Sequence, residues 1–309
     1  MIRYVIKRCL LLIPILIAVS FVVYFIVDLA PGDSVDVNMG QELSVEEKEE
    51  IREEMGLNDP VVIRYARYMG SLLKGDLGRS SSTGEPVFEM YVSRLPATIQ
   101  LAFWGIFVAL LIAIPLGVIA ATKQNTWADT SSMILGLLGL SIPNFWLGLL
   151  LIIAFSLHLH MFPSFGNESW NSIILPAITV GTGQAALLIR TTRSSMLEVI
   201  RQDYLRTARA KGVGEKQVIY HHALRNALIP IITAAGTQLS VALGGAVVTE
   251  SVFAWPGIGR MTIDAIYARD EVTVVGCIML TTMLASVLML FIDIIYAFVD
   301  PRIRARYAK

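Results

Sequence analysis

The sequence predicts an all-α, polytopic membrane protein with six transmembrane helices. Three observations predict it. Of its 309 residues, 55% are hydrophobic and only 16% charged, with a mean hydropathy of +0.62; a soluble domain carries about 25% charge. Six apolar runs are long enough to cross a bilayer, which takes about 20 residues. Basic residues also crowd into alternate connecting segments, the pattern that marks cytoplasmic loops.

The runs lie near Cys9–Leu29, Ala97–Ala121, Ser132–Leu157, Ile173–Ile189, Leu228–Val252 and Val274–Val299. Arg3, Lys7 and Arg8 precede the first, as in a secretory leader. Its apolar run is longer than a leader's, and Pro31 follows Ala30, so a retained helix is expected. The fourth run is the shortest. The expected organisation is a first helix within 1–30, an extracytoplasmic loop with short helices over 31–96, a five-helix core over 97–299, and a basic tail over 300–309.

The loop at 31–96 carries its own helix signals. Ser44 and Glu47 form a capping-box pattern, opening a short acidic helix that runs to Met55 and stops at Gly56. Asp59-Pro60 opens a second helix with Val61, Tyr65, Tyr68, Met69 and Leu72 on one side. Gly75 to Gly84 reads as turns, with Ser80-Ser81-Ser82 the most flexible piece. The loop is net acidic, and reads either as a solvated lid or as a docking surface for an extracytoplasmic partner.

Orientation follows from the basic residues. Arg3, Lys7 and Arg8, then Lys123, then Arg190 through Arg225, then Arg302 to Lys309 fall on one side; on the other, His158–Ser172 has no Lys or Arg, Phe253–Thr273 has only Arg260 and Arg269, and the long loop at 31–96 holds Lys and Arg but weighs little in the rule. Both termini are therefore expected in the cytoplasm, together with the long polar segment 191–228. Short loops suffice to join two spans, so a segment of this length calls for a reason. It reads as two short helices. The first covers about Gln202 to Lys211, with Asp203 near its start and Arg209 and Lys211 near its end, as the helix dipole favours. Gly212 is placed to stop it in the left-handed conformation. Glu215 starts the second, and Arg225 and Asn226 lead to Pro230 at the mouth of the fifth span. Such a segment suits either a groove in a partner protein or an anionic lipid surface.

Net charge is zero, so nothing points to nucleic acid. Cys9 and Cys277 lie far apart in apolar runs and fit no metal or disulfide spacing. No phosphate-cradling loop of the G-x-x-x-x-G-K-[ST] type occurs; any ATP and its Mg belong on another polypeptide. No nucleophile–base pair stands out, so no catalytic residue is assigned. His158 and His160 at the outer end of the third span are a polar collar or weak metal-ligand candidates. Ionisable residues within spans cost about 2.5–3.5 kcal/mol each. Two qualify: Glu250, which either lines a pathway or holds the turn that follows it, and Asp293. The gate candidates are Glu250 with Trp255, Pro256 and Gly257.

Several motifs together resemble a known family. They include Pro31-Gly32-Asp33, Gly56-Leu57-Asn58-Asp59-Pro60, Gly75-Asp76-Leu77-Gly78, Arg94-Leu95-Pro96-Ala97-Thr98, Arg206-Thr207-Ala208-Arg209-Ala210-Lys211-Gly212, His222-Ala223-Leu224-Arg225-Asn226-Ala227, Phe253-Ala254-Trp255-Pro256-Gly257 and Asp300-Pro301-Arg302. The chain is similar over its whole length to permease subunits of bacterial peptide/nickel ABC importers, first-subunit type. The resemblance implies a type I ABC importer permease fold in the inner membrane. It implies a second homologous permease, two ABC ATPase subunits and an extracytoplasmic substrate-binding protein as partners, with membrane lipid around them. The segment 191–228 then corresponds to the family's ATPase-coupling loop: Asp203, Arg206, Thr207, Ala208, Arg209, Ala210, Lys211, Gly212, Arg225 and Asn226. Gly212 matches the motif's glycine and Ala208 one of its alanines; Arg206 and Thr207 replace the preceding Glu and Ala, and Arg225 stands where the general motif has Pro. Di- and oligopeptides are the expected cargo. Nickel or a metal chelate is the alternative for the same machine, and a stand-alone ion-coupled carrier or a membrane scaffold the alternatives of another class.

Overall fold

The computed structural model describes residues 2–29, 32–38 and 44–299. The expected basic tail at 300–309 lies outside them, as does Pro31. The described residues are helical: α1 (Ile2–Asp28), α2 (Ser34–Asn38), α3 (Val45–Glu54), α4 (Val61–Leu72), α5 (Val87–Thr122), α6 (Trp127–Ser141), α7 (Asn144–Leu151), α8 (Ile174–Ile200), α9 (Asp203–Ala210), α10 (Glu215–Gln217), α11 (Leu224–Gly245), α12 (Val247–Val252), α13 (Ile258–Tyr267) and α14 (Glu271–Val299). Wider π-helical turns extend α7 through Ile152–His158 and join α10 to α11 through Val218–Ala223.

Five helical stretches are long and apolar enough to cross a membrane; α6 and α7 together make a sixth. That third span was expected as a single run near Ser132–Leu157. It is bent by 95° between Ser141 and Asn144. The cause is Pro143, which has no N–H to donate and pushes Ile142 into an extended conformation at ψ 121. The fourth span, expected to be the shortest, runs from Trp170 to Ile200. Its Gly181, Gly183 and Thr residues diluted the hydropathy signal, but they face other helices rather than lipid. Large apolar side chains such as Leu111, Leu135, Leu138 and Ile232 are exposed, as they are where the solvent is hydrocarbon.

The chain packs as two compact units, Met1–Thr98 with Pro256–Val287, and Ile99–Trp255 with Leu288–Lys309. In the first unit, the apolar side of α4 is the one the sequence marks. Tyr68, with Val61, Tyr65, Met69 and Leu72, packs against Tyr24 of α1 and Val275 and Met279 of α14. Arg64 on α4 pairs with Asp28 at 2.7 Å and with Glu271, tying the ends of α1 and α14 to one guanidinium. The capping box at Ser44 and Glu47 forms as expected, and Gly56 adopts φ +66. Arg52 of α3 holds Asp33 and Asp36 at 2.6 and 2.7 Å. Burial opposes the charge on Asp33, but hydrogen bonds from Arg52 and the Asp36 and Val35 amides outweigh it and hold the carboxyl below its ordinary range.

Ser80–Ser82 departs from the flexible loop expected. Ser80 is buried, and its hydroxyl donates to Asp270 Oδ2 at 2.6 Å. The same carboxylate takes the Thr273 hydroxyl at 2.7 Å, and its other oxygen takes the Thr273 amide at 3.1 Å. Local composition marks a turn, but a partner 190 residues away in sequence fixes it.

In the second unit α8 is the hub, packing against α6 and α11. Close approach depends on small residues, as in membrane bundles generally. A Cβ on Gly181 would stand 2.7 Å from the Gly105 carbonyl oxygen, and one on Gly139 would stand 3.0 Å from that of Thr182. Asp129 at the start of α6 accepts two hydrogen bonds from Arg193 of α8, both at 2.8 Å.

Candidate coupling loop and membrane cavity

The α9 segment is a short amphipathic knob. Leu205 is fully buried and anchors it in a cluster with Val118, Met196, Val218 and Ile231. Asp203, Tyr204, Arg206, Thr207, Ala210 and Lys211 are exposed on the rest of its surface, while Ala208 and Arg209 are half-buried. Arg206 and Asp203 approach to 3.8 Å, but both are almost fully solvated. Gly212 ends the helix at φ +81. The Val213 amide donates to the Ala208 carbonyl at 3.2 Å and the Gly212 amide to that of Arg209 at 2.9 Å. These two bonds are the Schellman pattern, which satisfies carbonyls the helix leaves open. A Cβ on Gly212 would meet nothing within 4 Å, so backbone angle, not space, requires glycine there.

Two contacts set the knob's position. Arg209 reaches across Gly212 to Glu215, its Nε donating at 3.0 Å and its Nη2 at 2.9 Å. Asn226 donates from Nδ2 to the Tyr204 hydroxyl at 2.9 Å and to the His222 carbonyl at 2.8 Å. Arg225 beside it is exposed. The second short helix expected from Glu215 is not a separate element. It runs through the π-helical turn into α11, and Pro230 lies inside that helix rather than at its mouth. Apolar packing carries the helix on past Pro230, since Val218, Ile219, Ala223, Ala227 and Ile231 all bury on one side.

The gate candidates separate. Glu250 is fully buried, and its backbone carbonyl accepts from the Trp255 amide at 2.8 Å, closing the turn over Ala254 at φ +49. Trp255 and Phe253 are buried too, with Phe253 packed against Ile152 and Leu175. Pro256 and Gly257 instead line a cavity of about 380 Å³ in the first unit, with Arg94, Arg260 and Asp264. His158 Nδ1 lies 2.8 Å from the Ile153 carbonyl, and His160 sits at φ +51. Among the described residues no three or more His, Cys, Asp or Glu side chains gather as a metal site would need. Asp293 is half-buried in α14.

A second cavity, of about 400 Å³, was not foreseen. It opens at the bend between α6 and α7 and is lined by α8 and α11 as well. Asn144, Gln184 and Gln238 supply its polar groups. The sequence does hold a signal: these are uncharged amides inside apolar runs, polar groups that carry no ionisable charge to mark them.

Residues 113–305 match the family model described as the inner membrane component of binding-protein-dependent transport systems, and residues 1–102 match the N-terminal part of such membrane components. The chain belongs to this family. Curated relatives extend the match end to end. The permease is 40% identical to the dipeptide transport system permease protein DppB of Alkalihalophilus pseudofirmus, over 98% of this chain and all of the relative. It is equally similar to the oligopeptide transport system permease protein AppB of Bacillus subtilis and the glutathione transport system permease protein GsiC of Escherichia coli K12, over 98% of this chain and 99% of each. Among solved structures, the MetNI methionine ABC transporter in an inward-facing conformation superposes with a TM-score of 0.58. At 21% identity it covers 69% of the permease and 97% of that chain, which supports the type I importer fold. The permease is thus a multi-pass inner membrane transport component. Membership in a binding-protein-dependent system agrees with the importer reading, and a stand-alone carrier or scaffold does not.

Proposed function

We propose that this permease forms half of a transmembrane pathway for di- and oligopeptides, driven by ATP hydrolysed on partner subunits. The observation that carries the reading is the end-to-end 40% identity to permeases named for dipeptide, oligopeptide and glutathione transport. Their common cargo chemistry is a short peptide. In this reading both termini and the α9 loop face the cytoplasm, following the basic residues. Two ATPases bind ATP and Mg, and one of them seats the exposed face of α9. A second homologous permease completes the pathway, and an extracytoplasmic binding protein delivers cargo to the opposite side.

The geometry around α9 supports that role. A rigidly capped helix, pinned by Leu205 to the bases of α5, α8 and α11, transmits a push from below into the spans above. Uptake of a labelled dipeptide, a longer peptide and Ni²⁺ is measured in cells with and without this chain. Loss of peptide uptake with nickel uptake intact is expected. Loss of nickel uptake alone would move the function to metal import.

A further inference from the structure

The cavity at the α6–α7 bend lies in the second unit, where three helices contribute one carboxamide each. Asn144 comes from the start of α7, Gln184 from the middle of α8 and Gln238 from α11. No charged side chain lines the cavity; its other walls are aliphatic, glycine and proline, including Ile142, Pro143 and Val180. Gln184 Oε1 is buried without a hydrogen-bond partner among the described residues. A buried acceptor left open is costly, and a small turn of the Gln184 amide would bring it to a donor in the cavity. Gly183 admits Asn144 to the same place, since a Cβ there would stand 2.8 Å from Asn144 Oδ1.

We propose that Asn144, Gln184 and Gln238 form a contact site for the main chain of the peptide in transit. The proposal rests on the peptide-import reading above. A carboxamide offers donors and an acceptor together, and every peptide bond but one preceding proline offers a donor and an acceptor in return. Pairing of this kind ignores side-chain identity and net charge. A charged lining would instead hold peptides of opposite charge and repel the rest. The aliphatic walls tolerate apolar side chains without selecting among them. Neutral amides are poor ligands for a nickel ion beside imidazole or thiolate. The site therefore fits a transporter that must pass many sequences sharing one backbone.

The test uses the assembled importer in proteoliposomes with its binding protein unchanged. Gln184→Met and Gln238→Met keep the volume and remove the amide. Uptake is compared for an ordinary tripeptide and the same tripeptide N-methylated at the second of its two peptide bonds. The binding protein is common to all samples, so any change in the ratio of the two rates belongs to the permease. Each variant is expected to slow the ordinary tripeptide by about twofold to tenfold, the worth of one hydrogen bond. The N-methylated one should slow less, moving the ratio toward one. An unchanged ratio with normal peptide uptake overturns the contact site and leaves the peptide reading intact. Variants that fail to assemble with the second permease overturn it also, by assigning the amides to the subunit interface. No tripeptide uptake by the unmodified importer, with Ni²⁺ uptake present, overturns both.

Discussion

Arg209 and Glu215 form a two-bond ion pair across the left-handed Gly212, at 3.0 and 2.9 Å, and so fix the exit of the α9 knob relative to the helix that climbs into the bilayer. Both side chains are partly solvated, at 35% and 63% exposure, so the pair contributes no more than about 1 kcal/mol. Its value is geometric. Arg209→Ala and Glu215→Ala should each reduce peptide uptake by up to about fivefold, as a loss of that size allows. The exchanged pair Arg209→Glu with Glu215→Arg should recover much of it. A swap no better than either single exchange would show that Arg209 acts on a partner instead.

Gly212 bears a heavier demand. Its φ of +81 costs a residue with a Cβ about 1–2 kcal/mol. Gly212→Val should loosen the cap and reduce uptake severalfold, while substrate capture by the binding protein stays unchanged. ATP hydrolysis and uptake measured together would register the fault as lost coupling.

Asp129 is 8% exposed and Arg193 26%. Removing one partner of a buried pair leaves the other charge stranded, at a cost of about 3–5 kcal/mol, here at the lower end because Arg193 keeps some solvent. Asp129→Asn should therefore lower the melting temperature in detergent by several degrees. A melting curve unchanged from wild type would mean that water already screens the pair.

Asp270 gathers Ser80, Ser82 and Thr273 around one buried carboxylate. Asp270→Ala strands the buried Thr273 hydroxyl and amide, at about 1–3 kcal/mol for each, and leaves the Ser80 hydroxyl only that of Ser82 to donate to. The segment 79–86 should then become cleavable by protease where it is protected in wild type. Equal cleavage in both proteins would refute the clamp.

Asp33 gives a pH dependence. Its carboxyl lies below the ordinary value of 3.8 in the folded chain, so the contribution is full above that value. It is lost as pH falls through the lower folded value. Protection of the α2 and α3 amides, taken relative to the intrinsic exchange rate at each pH, should therefore hold at pH 6 and fall only below about pH 4. In Arg52→Leu the fall in protection should begin at higher pH.

The helical class, the number of spans, the capping box at Ser44, the buried side of α4 and the stop at Gly212 were all legible in the chain. Each depends on residues within a few turns of one another, where hydropathy, periodicity and backbone angle act locally. The segments that misled did so for non-local reasons. Ser80–Ser82 reads as loose until Asp270 arrives to bind it. Residues 215–230 read as a short helix ahead of a separate span until burial of Val218, Ile219 and Ala227 carries one helix through both. The 95° bend at Pro143 was foreshadowed by the proline, but composition alone gives no angle.

What the sequence by itself determined is that this chain crosses a membrane in helices and carries one polar, helix-stopped loop of unusual length. Tertiary structure alone decided which polar residues meet. Asn144, Gln184 and Gln238 are scattered over three helices and share no motif, spacing or charge. They become a site only because Pro143 bends one helix and Gly183 lets the neighbours close. Convergence of that kind depends on packing between distant segments, which one-dimensional pattern does not encode.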